Sequence, residues 1–309
     1  MCEIIYRSVI PVFIRRFESQ IQHVRKIAHI INPFNADPSS DLHTAQPITF
    51  ASMLHARDEA KENINVELWT AQYPEDRNMV VEGFQATRDL DRSVLDLGSF
   101  EKQLKLPLIG DIVRRLFEES DAEYLIYTNV DIGVYPSFYS EINRFIDEGL
   151  DAFIINRRRL PAHFTKIEQL EEIYREEGKK HPGFDCFVFH RDLFTDFQMT
   201  EVCIGVPFIG ITFAQNIFAL AKNYRLFEEE ILTFHIGMEI FKGRAAKDYF
   251  RYNRKQFWKA MNSSLKPHLS SKKWPYADRI LPIRLIKWGL QPSLPIRLGL
   301  KLEWRKLFK

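Results

Sequence analysis

Short apolar runs rich in β-branched and aromatic residues alternate with longer segments of helical period over residues 24–261. This alternation constrains the fold more than any other feature. Strands joined through helices pair side by side after a crossover, so repeated βα units close into a mostly parallel twisted sheet flanked by helices on both faces. The pattern predicts strands at 24–31, 66–71, 123–128, 151–156 and 184–189, another within 225–234, and a short one at 92–97. Helices are predicted at 48–63 with Pro47 near the first turn, 106–120, 137–148, 167–177 ended by Gly178, 211–221 and 247–261. Residues 32–47 read as an unusually long loop. Ligands of such sheets bind outside the carboxyl ends of the strands.

The chain has 309 residues, 45% of them hydrophobic, which is ample for a real core. A net charge of +2 does not suggest nucleic-acid binding, but the charge is unevenly placed. From Lys272 onward ten basic residues face only two acids, Asp278 and Glu303. The expected organisation is an N-terminal basic amphipathic segment (1–23), one α/β domain (24–262) and a basic tail (263–309) containing Pro, Trp and Leu. Cys2, Cys186 and Cys203 form neither a disulfide framework nor a CxxC zinc pattern, so a reducing, cytoplasmic compartment is expected. No apolar run approaches the length of a membrane span, and Arg7 breaks the apolar stretch at the start, which argues against a signal peptide.

Four stretches place polar chemistry beside strand ends. In TNVDIG (128–133), Asn129 and Asp131 point to one side if the backbone stays extended. There they can hold a hard cation such as Mg²⁺ or Mn²⁺, or a ribose. Equally, they can terminate the strand and hydrogen-bond the turn before Gly133. In HPGFDCFVFH (181–190), His181 and Asp185 flank a Pro-Gly turn, with Asp185 at the start of an apolar strand. Asp185 can act as a base, bind acceptor hydroxyls, or cap the turn. In LTFHIG (232–237), His235 can be a metal ligand, touch a phosphate, or be a satisfied structural residue. Arg157, Arg158 and Arg159 follow Asn156 and suit anionic groups, or form a solvated basic turn. Lys105 and Asp111 are weaker candidates. The sequence lacks GxxxxGK[ST], GxGxxG after the first strand, HExxH and GxSxG. Those absences count against P-loop kinases, Rossmann dehydrogenases, zinc proteases and α/β-hydrolases.

Together, LPLIGDIVRRL, YTNVDIGVYPSFY, DAFIINRR, HPGFDCFVF and LTFHIG resemble the GT-A-fold glycosyltransferases, which use nucleotide-diphosphate sugars, over residues 24–261. TNVDIG stands where that fold carries its DxD motif, with Asn129 in place of the first Asp. The resemblance implies a GT-A-like sheet, a donor site containing Asn129, Asp131, Arg157 and Arg158, and a Mn²⁺ or Mg²⁺ ion held by Asp131 and His235. It also implies acceptor binding by His181 and Asp185, with Asp185 as catalytic base. The implied reaction transfers a sugar from a nucleotide-diphosphate donor to a hydroxyl acceptor, either a saccharide or a lipid-linked one. Two other readings stay open: a non-catalytic GT-A-like module that binds saccharide or assists a partner, and a nucleotidyltransferase. Against the latter, residues 32–47 contain no glycine, lysine or arginine with which to cradle a triphosphate.

The tail LPIRLIKWGLQPSLPIRLGLKLEWRKLFK (281–309) mixes Leu, Ile and Trp with Arg and Lys, and Pro282, Pro292 and Pro295 rule out one continuous helix. It can pack over the domain or lie at the cytoplasmic face of a membrane.

Overall fold

A computed structural model of the chain describes residues 24–237 and 247–308. The expected N-terminal amphipathic segment lies outside the described residues.

The first half contains β1 (Lys26–Ile31), α1 (Asp41–Ala60), β2 (Asn65–Thr70), β3 (Gln85–Ala86), α2 (Ile109–Glu119), β4 (Tyr124–Thr128), β5 (Gly133–Val134) and α3 (Phe138–Asp147). It is followed by β6 (Ala152–Ile155), β7 (Arg158–Leu160), the short α4 (Leu170–Ile173), β8 (Lys179–Lys180), β9 (Cys186–His190), the short α5 (Arg191–Phe194) and α6 (Ile209–Leu220). The remainder contributes β10 (Tyr224–Phe227), β11 (Thr233–Ile236), α7 (Lys247–Met261), α8 (Leu281–Leu290) and α9 (Ile296–Leu307).

Seven strands form the central sheet in the order β10-β6-β9-β4-β1-β2-β3. All are parallel except β9, which runs antiparallel to both β4 and β6. Strand alternation divides the core into two layers. Ala28, Ile30, Leu125, Tyr127, Phe187 and Phe189 pack with α2, α6 and α7 on one face. Ile27, Ile31, Ile126, Val188, Phe153 and Ile155 pack with α1 and α3 on the other. Phe213 of α6 stacks on Phe187 with centroids 4.4 Å apart and meets Phe197 edge-on, so aromatic rings fill much of the first layer. Burying one such ring contributes about 1.5–3 kcal/mol.

A smaller sheet, β5-β11-β7-β8, lies beside the carboxyl ends of the main strands. The expected strand within 225–234 is therefore two strands in different sheets. The predicted strand at 92–97 is a 3₁₀ turn at Val94–Asp96, capped by the Ser93 hydroxyl accepting from the Leu95 amide. The third strand of the main sheet is instead Gln85–Ala86. The loop after β1 is shorter than expected, because α1 begins at Asp41. Ser40 caps it by accepting from the Leu42 amide, and Pro47 sits inside the helix. There the Gln46 side chain secures the loop, accepting from the Phe34 amide and donating to the Phe34 carbonyl at 3.0 Å each. The helix expected at 167–177 is a 3₁₀ turn, Ile167–Gln169, running into the single turn of α4.

One polar network lies inside the second layer. His29 on β1 is fully buried, with Nδ1 2.9 Å from the Tyr139 hydroxyl and Nε2 2.9 Å from the Thr128 hydroxyl. Burial pushes its pKa down to about 3, so the ring is neutral when folded. The unfolded chain binds a proton here below the ordinary histidine value of 6.5, while the folded chain does not. This contribution is complete above 6.5 and is lost as pH falls toward 3, at about 1.4 kcal/mol per pH unit within that window. Urea titrations between pH 7 and pH 4 will show that slope, and His29→Gln will lessen it by about the same amount.

Candidate functional site

Strand register builds the site. Thr128 of β4 and Ile155 of β6 both pair with Cys186 of β9. Because β9 is antiparallel to both, the residue before it stands level with the residues after them. Asp185, Asn129 and Asn156 therefore meet at one edge of the sheet, outside the carboxyl ends of the parallel strands.

At β4 the chain turns at once, with the Ile132 amide donating to the Asn129 carbonyl at 3.1 Å. The extended backbone that would have aimed Asn129 and Asp131 together is absent, and the two side chains take different partners. The Tyr127 hydroxyl donates to Asn129 Oδ1 at 2.8 Å. Burial raises the Tyr127 pKa far above its ordinary value, so this donor keeps its proton. Asp131 instead meets His235, with Oδ2 3.2 Å from Nε2. Both residues are buried, at 7% and 4% exposure.

The small sheet brings this pair together. β11 pairs antiparallel with β5, Phe234 opposite Gly133, which carries His235 to the level of the turn residues before β5. Gly133 permits this by close approach: a Cβ there would lie 2.3 Å from the Phe234 ring. Phe234 is also braced edge-on by Tyr135 at 5.4 Å.

The second pair is Arg157 with Asp185, Nη1 to Oδ1 3.1 Å, with both side chains nearly buried. A buried ion pair of this kind orients both groups but leaves a costly charge if one partner is removed. Of the other arginines, Arg158 donates through Nη2 to the Glu229 carbonyl. Arg159 stands opposite His235 in the pairing of β7 with β11, so the small sheet links the Asp131–His235 pair to the arginine run. His181 and Asp185 approach each other around Gly183, where a Cβ would lie 2.5 Å from His181 Nε2 and 3.4 Å from Asp185 Oδ2.

The sequence-predicted residues thus form two linked groups at one sheet edge. Lys105 and Asp111 stand apart from them. Lys105 pairs with Glu75, and Asp111 receives Arg92 at 2.7 and 2.9 Å. Three contributors were not singled out in the sequence. Tyr127 pins Asn129, and the His29 network holds Thr128 beneath the turn. Asn156 is 1% exposed, and neither atom of its carboxamide has a hydrogen-bond partner among the described residues. A buried amide left in that state costs about 1–3 kcal/mol. Its place directly after a buried strand was the available signal.

Among the described residues no group of three or more His, Cys, Asp or Glu side chains converges on one point. Asp131 and His235 supply one carboxylate and one imidazole, two of the roughly six positions that Mn²⁺ or Mg²⁺ fills. That donor set fits an ion whose remaining ligands are water and a substrate diphosphate.

No protein-family model matches the sequence, and no curated protein sequence matches it. Among solved structures, the chain is similar to residues 1–349 of S. aureus TarS in complex with UDP-GlcNAc, at 10% identity and a TM-score of 0.44, over 88% of this chain and 82% of that one. The same protein in complex with UDP gives 11% identity and 0.44 over the same shares, and TarS without that truncation gives 10% and 0.39 over 88% and 50%. The seven-stranded sheet with helices on both faces is a mixed α/β architecture.

Two substitutions check this construction. Gly133→Ala must displace the Phe234 ring and is expected to cost about 1–3 kcal/mol, with much of that recovered in the double variant Gly133→Ala, Phe234→Leu, measured by urea unfolding. Arg157→Ala removes the guanidinium from the buried Asp185 carboxylate and is expected to cost about 3–5 kcal/mol, whereas adding Asp185→Asn to it restores part of the loss.

Proposed function

We propose that the protein is a nucleotide-sugar-dependent glycosyltransferase with its donor site at the carboxyl edge of the main sheet. The observation that carries this reading is the buried Asp131–His235 pair, placed directly after β4 where the sequence resembles a DxD motif. Asp131 and His235 would hold Mn²⁺ or Mg²⁺, which when bound would supply positive charge to the donor diphosphate. Asn129 is fixed by Tyr127 and turns its carboxamide toward the nucleotide sugar. Arg157 and Arg158 add positive charge at the same edge.

The acceptor is a hydroxyl of a saccharide or lipid-linked saccharide, bound near His181 and Asp185. Asp185 takes the acceptor's proton as its oxygen bonds to the anomeric carbon and the bond from that carbon to the diphosphate oxygen breaks. Arg157 holds the Asp185 carboxylate in place for this step. The protein acts in the cytoplasm.

UDP- or GDP-sugars with Mn²⁺ are expected to raise the melting temperature, and Asp131→Ala to abolish the shift. The absence of any shift across a broad panel of nucleotide sugars overturns the proposal. A second reading, a GT-A-like module that binds saccharide without turnover, is favoured by the single carboxylate at the turn and by the engagement of Asp185 with Arg157. Donor turnover that is lost in Asp185→Ala while the Asp131-dependent thermal shift remains decides for the enzyme.

A further inference from the structure

The C-terminal helices are anchored to the core by few side chains and carry apolar residues on their outer faces. Trp288 of α8 is fully buried, meets Trp274 edge-to-face at 5.0 Å, and donates through Nε1 to the Pro275 carbonyl at 2.8 Å. Leu298 and Leu302 of α9 join the same cluster. Gly299 allows the two helices to close, since a Cβ there would lie 2.7 Å from the Trp288 ring.

Opposite these anchors, each helix presents an exposed apolar stripe. On α8 it consists of Ile283, Ile286 and Leu290, the last two 62% and 77% exposed. On α9 it consists of Ile296, Leu300, Trp304 and Leu307, at spacings of four, four and three residues, with Phe308 beside them. Such spacing places side chains on one side of a helix. Ile296 lies against Gly289 of α8, where a Cβ would be 3.3 Å from Cδ1, so the two stripes adjoin at that end.

The charges bordering the stripes have one sign. Lys287, Arg297 and Lys301 are exposed beside them, and Arg305 is half-buried. The one acid of the two helices, Glu303, is turned inward, where it meets Arg284 at 3.4 Å, Lys306 at 2.8 Å and the Ser271 hydroxyl at 2.9 Å. Glu303 is held below the usual carboxylate range by these partners, against the opposing effect of burial. The outer surface is therefore cationic and apolar at once. A second copy of the same face would bring like charges together, which disfavours self-association. An anionic, apolar partner suits both features.

We infer that α8 and α9 form a docking face for an anionic lipid bilayer. The helices lie in the plane of the interface with Ile286, Leu290, Leu300, Trp304 and Leu307 entering the acyl boundary and Lys287, Arg297 and Lys301 meeting lipid phosphates. With ten and twelve residues they are too short to span a bilayer, and no helix among the described residues is long and apolar enough to do so. The inference does not depend on the donor-site proposal, although docking would bring the enzyme to a lipid-linked acceptor.

Co-sedimentation of the full chain with phosphatidylcholine vesicles, with and without phosphatidylglycerol, tests it in the absence of any nucleotide sugar. Binding is expected only with the anionic lipid, and it weakens as salt rises. The triple variant Lys287→Gln, Arg297→Gln, Lys301→Gln should reduce partitioning about tenfold or more. The variant Ile286→Ser, Leu290→Ser, Trp304→Ser, Leu307→Ser should reduce it similarly, while an unchanged melting temperature shows that both variants fold. Failure to bind anionic vesicles overturns the inference, as does binding that neither variant weakens. Dimerisation in solution that the apolar variant abolishes also overturns it, by assigning the face to a second copy.

Discussion

The position of one antiparallel strand organises the polar edge of this protein. β9 lies between β4 and β6 with Cys186 level with both Thr128 and Ile155. A shift of one residue would turn every side chain of β9 to the opposite layer, sending Phe187 and Phe189 away from the α6 aromatic cluster. Burial on both faces thus fixes the register, and the register carries Asp185 to Asn156 and Arg157. The second pair depends on the same logic in the smaller sheet, where the Phe234 ring over Gly133 seats β11 and delivers His235 to Asp131.

Polar groups at this edge lie in two tiers. His29, Thr128, Tyr139 and Tyr127 lie under the turn after β4, and the buried hydroxyls and neutral imidazole have no charge to desolvate. Above them stand the ionisable pairs, Asp131 with His235 and Arg157 with Asp185. The Asn156 carboxamide has no hydrogen-bond partner among the described residues.

Much of the architecture was legible in the sequence, since strands buried on both faces read as continuous apolar runs and amphipathic helices carry their own period. The predicted helix at 247–261 coincides with α7, and five of the main-sheet strands fall within two residues of expectation. The misses have local causes. Pro47 suggested a helix start, yet the Ser40 cap and the Gln46–Phe34 bonds stabilise an earlier one. Residues 92–97 have strand-like composition, but the Ser93 cap closes a 3₁₀ turn. β3 was missed because two exposed residues, Gln85 and Ala86, carry no apolar pattern.

The candidate residues Asn129, Asp131, Arg157, Asp185 and His235 were visible because polar side chains at the ends of apolar strands stand out in a linear pattern. The sequence by itself determined the alternation of elements, the edge at which these residues would gather and the one-sided charge of the C-terminal tail. Tertiary structure alone decided who pairs with whom: Asn129 with Tyr127 rather than with Asp131, Asp131 with His235 across 104 positions, and Arg157 with Asp185. It also decided which face of the tail is buried, through Trp288. These outcomes follow from long-range register and close packing, which depend on residues far apart in the chain and leave no local period in the sequence.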